Sequence, residues 1–95
     1  MDLTVTREKI NAIDIQLLKL YEERMDLCRD VAAYKIENNM QVLDRSREEV
    51  ILERVRKDTG NKEYEEYAVA LFEKIMEMSR DMQTKMIEAA KGITA

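Results

Sequence analysis

The apolar residues of this chain recur every three and four positions, in three stretches separated by short polar breaks. In the first stretch Ile10, Ile13, Leu17, Leu20, Tyr21, Leu27, Cys28 and Val31 fall at helical spacing. This predicts a helix from about Thr4 to Glu37, roughly 50 Å long at 1.5 Å per residue. Asn38 and Asn39 break the pattern, because asparagine favours turns. Val42 and Leu43 then lead to Asp44, a good N-cap residue. A second helix over 44–58 carries Val50, Ile51, Leu52 and Val55, and Gly60-Asn61 gives a stop signal. A third, over 62–90, carries Leu71, Phe72, Ile75, Met76, Met82, Met86 and Ile87. The tail from Gly92 to Ala95 is expected to fray.

The first helix is long for so small a chain, since globular helices usually run 8–20 residues. One short helix and one further long helix do not cover its whole stripe in a compact monomer. A second copy of the chain is the simplest cover, because two-fold pairing is the commonest oligomeric arrangement. A helix projecting into solvent, or docked on another domain, is the alternative.

Composition narrows the class. The length of 95 residues suggests one domain spanning 1–95. The apolar share of 45% is enough to bury a core, while 2 glycines and no proline leave little material for hairpins. Leu, Met, Glu, Lys, Arg and Ala dominate, and these are good helix formers. The fold class expected is all-α, with three helices in the order long, short, long. The net charge is −4 and the basic residues are interspersed with acids, so no affinity for nucleic acid is expected. No apolar run approaches 18 residues and no signal-peptide pattern opens the chain, so no membrane span is expected, and a cytoplasmic location is the default expectation. Cys28 is the one cysteine and histidine is absent. That excludes an internal disulfide, the common zinc sites and the usual catalytic triads. Cys28 itself reads as a small core hydrophobe.

The informative residues are polar ones on apolar faces. The helical neighbours of Arg24 at three and four positions are Leu20, Tyr21, Leu27 and Cys28. No other Lys or Arg of the chain has four apolar neighbours at those offsets. Either Arg24 snorkels or pairs with a structural acid such as Asp14 or Asp44, or it holds an anionic ligand. Arg7, Arg24 and Lys35 share one face of the first helix. Arg7 and Lys35 are roughly 42 Å apart along it, too far to serve one small ligand. Arg24 and Lys35 are roughly 16 Å apart, within convergence of two long side chains. Arg7 is then free to act at another site, for example that of a dimer partner.

Asp44 and Glu48 are explained by the second helix, as its cap and its first-turn acid. Arg47 is not, because a cation near a helix N-terminus is disfavoured. A nearby anion or carboxylate would account for it. On the third helix Ser79 and Gln83 lie four apart among Ile75, Met76, Met82 and Met86. When buried, such groups need partners, and an interhelical hydrogen bond is the bland explanation.

Taken in order, these residues resemble the all-helical class of chorismate mutases. Arg7-Glu8-Lys9-Ile10 with Ile13-Asp14, then Glu23-Arg24 and Val31-Ala-Ala-Tyr-Lys35, look like the family's first helix. Asp44-Arg45-Ser46-Arg47-Glu48 is similar to its second-helix signature, and Ser79 with Gln83 to its third-helix polar pair. The resemblance covers about Arg7 to Ile87. It implies an intertwined helical homodimer that converts chorismate to prephenate, a Claisen rearrangement on the route to phenylalanine and tyrosine, with no metal or cofactor. It implies catalytic roles for Lys35, Gln83 and Arg24. Arg24 and Ser79 would bind carboxylate, and Arg7 would reach the other subunit's site. Lys35 and Gln83 would face the ether oxygen, Glu48 and Asp44 the ring hydroxyl, and Arg47 would lend supporting charge. Val31, Ile51 and Met76 would form apolar walls. The loop before the second helix lacks the proline that relatives often carry. Two alternatives stand beside this: a non-catalytic dimeric interaction module, and a related isochorismate pyruvate-lyase. Relatives are often fused to other enzymes of the pathway, so this chain is either a free enzyme or a mutase domain of a bifunctional one.

Overall fold

The computed structural model describes residues 1–92, and the expected frayed tail beyond Gly92 lies outside the described residues. The elements are α1 (Leu3–Glu37), α2 (Arg45–Asp58), a 3-10 turn (Lys62–Tyr64) and α3 (Glu65–Ala90). Among the described residues there is no strand.

The ends of the helices follow from local side-chain chemistry. Asp2 caps α1, its Oδ1 accepting from the N–H groups of Thr4 at 2.9 Å and Val5 at 3.4 Å. At the other end Asn39 takes φ 52°, a left-handed conformation that asparagine tolerates, and the chain turns away. Asp44 caps α2 by accepting from the Arg47 N–H at 3.0 Å. α2 stops because Thr59 turns extended, while its hydroxyl and N–H both donate to the Val55 carbonyl. Gly60 is not in the left-handed region, so the stop does not work through a glycine cap. α3 begins three residues later than its apolar pattern predicts, because 62–64 winds as a 3-10 turn capped by Asn61.

α3 is the organising element and packs against both α1 and α2. Its buried residues are Val69, Met76, Ser79 and Gln83, spaced seven, three and four apart, which is one helical stripe. On α1 the one buried residue is Ala32, and Tyr21 reaches across to α3, its hydroxyl 3.9 Å from Met78 Sδ.

What the single chain does not do is bury α1. Ile13, Leu17, Leu20 and Leu27 are each more than half exposed, Leu27 at 64%. Among the described residues the buried apolar ones are Ala32, Val69 and Met76. The molecule extends 56 × 27 × 20 Å, with a radius of gyration of 16.9 Å. A compact domain of this length would have about 12 Å. Among the described residues no helix is long and apolar enough to cross a membrane.

Candidate active site

One cleft gathers polar side chains from all three helices. α1 contributes Arg24, Cys28, Val31 and Lys35 from successive turns of one face. The first two turns of α2, with their cap, contribute Asp44, Arg47, Glu48 and Ile51. α3 contributes Met76, Ser79, Arg80 and Gln83 from its buried stripe and its edge. The cleft has a volume of ≈ 180 Å³. Seven of the eight residues singled out from the sequence line it, and so do Val31, Ile51 and Met76. Arg7 is the exception: it is exposed and lies 17 residues before Arg24, roughly 25 Å along α1.

The cations of the cleft are unevenly partnered. Arg24 is half-buried rather than buried, and among the described residues its guanidinium donates only to Cys28 Sγ, at 3.8 Å. Neither Asp14 nor Asp44 forms an ion pair with it, nor does any other acid among the described residues. Lys35 Nζ donates to the Val42 carbonyl at 2.7 Å, which ties the loop before α2 to α1. An ammonium has three protons, so two remain. Arg47 is exposed, and its guanidinium has no carboxylate partner among the described residues. Asp44 carries the cap, and Glu48 pairs with Arg80.

The neutral pair on α3 is the most buried polar feature, with Ser79 at 5% and Gln83 at 6% exposure. Gln83 Nε2 donates to Ser79 Oγ at 2.9 Å, so the bond runs within α3 and not between helices as the bland explanation had it. Gln83 Oε1 is buried without a partner. Leaving a buried acceptor unmade costs about 1–3 kcal/mol. Reversing the amide exchanges the orphan: Ser79 Oγ–H then donates to Oε1, and Nε2 takes the unpartnered position, where an acceptor on a ligand would satisfy it.

Arg80 was not singled out by the sequence pattern. It shares the three-and-four spacing of Met76 and Gln83, a signal that is present, but its neighbours Glu77 and Thr84 are polar. Outside the cleft, the hydrogen bond that Arg56 donates to Glu66, and then the Glu66 charge, hold the Arg56 guanidinium above its usual range. That cluster joins α2 to the start of α3. Among the described residues no group of His, Cys, Asp or Glu is arranged to hold a metal ion.

Three cations without carboxylate partners, two buried hydrogen-bonding groups and an apolar wall suit a small anion with a hydrophobic ring. The profile of the family described as chorismate mutase type II matches residues 6–84. The chain is 32% identical over 91 residues to the chorismate mutase of Methanocaldococcus jannaschii, covering 95% of this chain and 92% of that one. It is 36% identical over 89 residues to a bifunctional chorismate mutase/prephenate dehydratase of Buchnera aphidicola from Acyrthosiphon pisum. The match covers 90% of this chain but 23% of that protein, and a second Buchnera bifunctional enzyme is 34% identical with the same coverage. No solved structure matches significantly. This chain belongs to the chorismate mutase type II family.

Proposed function

We propose that residues 1–95 form one helical unit that isomerises chorismate to prephenate in phenylalanine and tyrosine biosynthesis, as a cytoplasmic homodimer with two shared active sites. The observation that carries this is the convergence of Arg24, Lys35 and Arg47, none of them held by an acid among the described residues, on the Ser79–Gln83 pair. The reading is the same whether the chain stands alone or is part of a longer one.

The reaction needs no proton transfer, so a chain without histidine is no obstacle. Chorismate is a flexible dianion, and its bond exchange requires a chair-like conformer. Holding both carboxylates restricts it to that conformer, which is the proximity contribution. Arg24 takes one carboxylate with help from Ser79, and Arg47 adds positive charge close by. As the C–O bond breaks, negative charge grows on the ether oxygen. Lys35, with two free protons, and Gln83 Nε2 in the reversed amide stabilise it, with the least reorganisation because helix packing already fixes them. Asp44 and Glu48 face the ring hydroxyl, and Val31, Ile51 and Met76 enclose the ring.

The dimer reading is supported by the exposed face of α1 and by the elongated shape. A second copy laid along α1 would cover that face and bring its own Arg7 to this cleft, which Arg7 of the same chain does not reach. An interaction module would use one polar layer, neutral or paired, to set register. Three cations without acids are a poor fit to that role.

Incubating the purified protein with chorismate tests the proposal. The expected result is loss of chorismate with formation of prephenate, an isomer of the same mass. Turnover of neither chorismate nor isochorismate would favour the interaction module, and release of free pyruvate from isochorismate in a parallel incubation would favour the lyase.

A further inference from the structure

Arg80 has no part in the binding scheme above, yet its side chain is one of the four cations of the cleft. It stands between Ser79 and Gln83 on α3, and its guanidinium donates to Glu48 Oε1 in the first turn of α2. The two side chains are 33% and 23% exposed, so the pair is largely shielded from water. It borders two spaces at once. On one side is the cleft, and on the other an outer groove of ≈ 330 Å³ lined also by Leu43, Arg45 and Leu52. The ion pair is the partition between them.

An unpaired carboxylate at that position would repel an entering dianion, and in a partly shielded site such repulsion is strong. Pairing with Arg80 cancels the charge. It uses Oε1 alone, and Oε2 has no hydrogen-bond partner among the described residues. The pair also bridges 32 residues of sequence, fixing the start of α2 against α3. We propose that Arg80 is a positioning and specificity residue: it neutralises Glu48 and holds it in the partition wall, so that Oε2 accepts from the substrate's ring hydroxyl. This rests on the role given to Glu48 above.

Steady-state kinetics with chorismate, on Arg80→Ala and Arg80→Lys in the wild-type and Glu48→Gln backgrounds, tests it. Arg80→Ala should raise KM roughly tenfold, the scale of one charge-assisted hydrogen bond, and change kcat less than about threefold. Arg80→Lys should recover most of the loss, since it restores the charge. In the Glu48→Gln background Arg80→Ala should add less than about twofold, because its effect passes through Glu48. If the alanine variant does not fold, Arg80→Met keeps the stem's packing and carries the same expectation. Equal effects in both backgrounds, or a fall in kcat with KM unmoved, would overturn the proposal. If Glu48→Gln raises KM while Arg80→Ala is silent, Arg80 alone is wrong. If Glu48→Gln is itself silent, the hydroxyl role of Glu48 fails with it.

Discussion

Arg24 sits half-buried beside a thiol, with no acid among the described residues to balance it. A shielded charge without a partner is costly, and an anionic ligand removes the cost. Arg24→Ala should therefore lower kcat/KM for chorismate by roughly 10²–10³-fold, the loss of one preorganised charge-assisted contact. A fall of less than tenfold would make Arg24 structural. Gln83 carries the second residue-scale prediction. It is buried, and its amide donates at any pH. A carboxyl in its place donates only when protonated. Gln83→Glu should work below the pKa of that carboxyl and lose activity as pH rises through it. A flat profile in the variant would contradict the role. Arg24 was legible from sequence because its four helical neighbours are apolar. The partner of Glu48 was not, because the Arg80 pair spans 32 residues and helical periodicity reports only contacts within a helix.

At the scale of elements, α3 does most of the packing, and its stripe was visible in the spacing of Met76, Ser79 and Gln83. Met76 is 4% exposed and walls the cleft. Met76→Ala should lower stability by about 2–5 kcal/mol in denaturant unfolding. An effect below about 1 kcal/mol would mean that α3 is not the core element. The cap of α1 offers a control remote from the cleft. Asp2→Ala should cost about 1 kcal/mol of stability and leave KM for chorismate unchanged. Neither that cap nor the late start of α3 was read from the pattern. The start of α3 is set across elements: Lys62 Nζ donates to the Arg56 carbonyl, and Arg56 pairs with Glu65 and Glu66. Such contacts bind a turn to the end of the preceding helix, and apolar periodicity does not record them.

For the whole molecule, the length of α1 carried the information. A 35-residue helix beside one of 14 and one of 26 leaves an apolar face that this chain alone does not bury. Leu20 is 62% exposed on it. If a second copy covers that face, Leu20→Asp should shift the protein to monomer in sedimentation and abolish turnover. A monomeric wild type would refute the dimer. The geometry of such a dimer would be set by contacts between copies and is not legible in one chain's periodicity. A site shared between copies would make mixed dimers informative. Arg7→Ala and Arg24→Ala chains, each inactive alone, should give heterodimers with one intact site and measurable turnover.

The central claim is that one small dianion is held by Arg24, Lys35, Ser79 and Gln83 of one copy and by Arg7 of another. A crystal structure with a chorismate transition-state analogue tests it most directly. The account predicts the analogue in this cleft, its ether oxygen within hydrogen-bond reach of Lys35 Nζ and Gln83 Nε2, and one carboxylate on Arg24. Arg7 of a second copy should close the site. An analogue bound elsewhere, or a cleft closed without that Arg7, would contradict it.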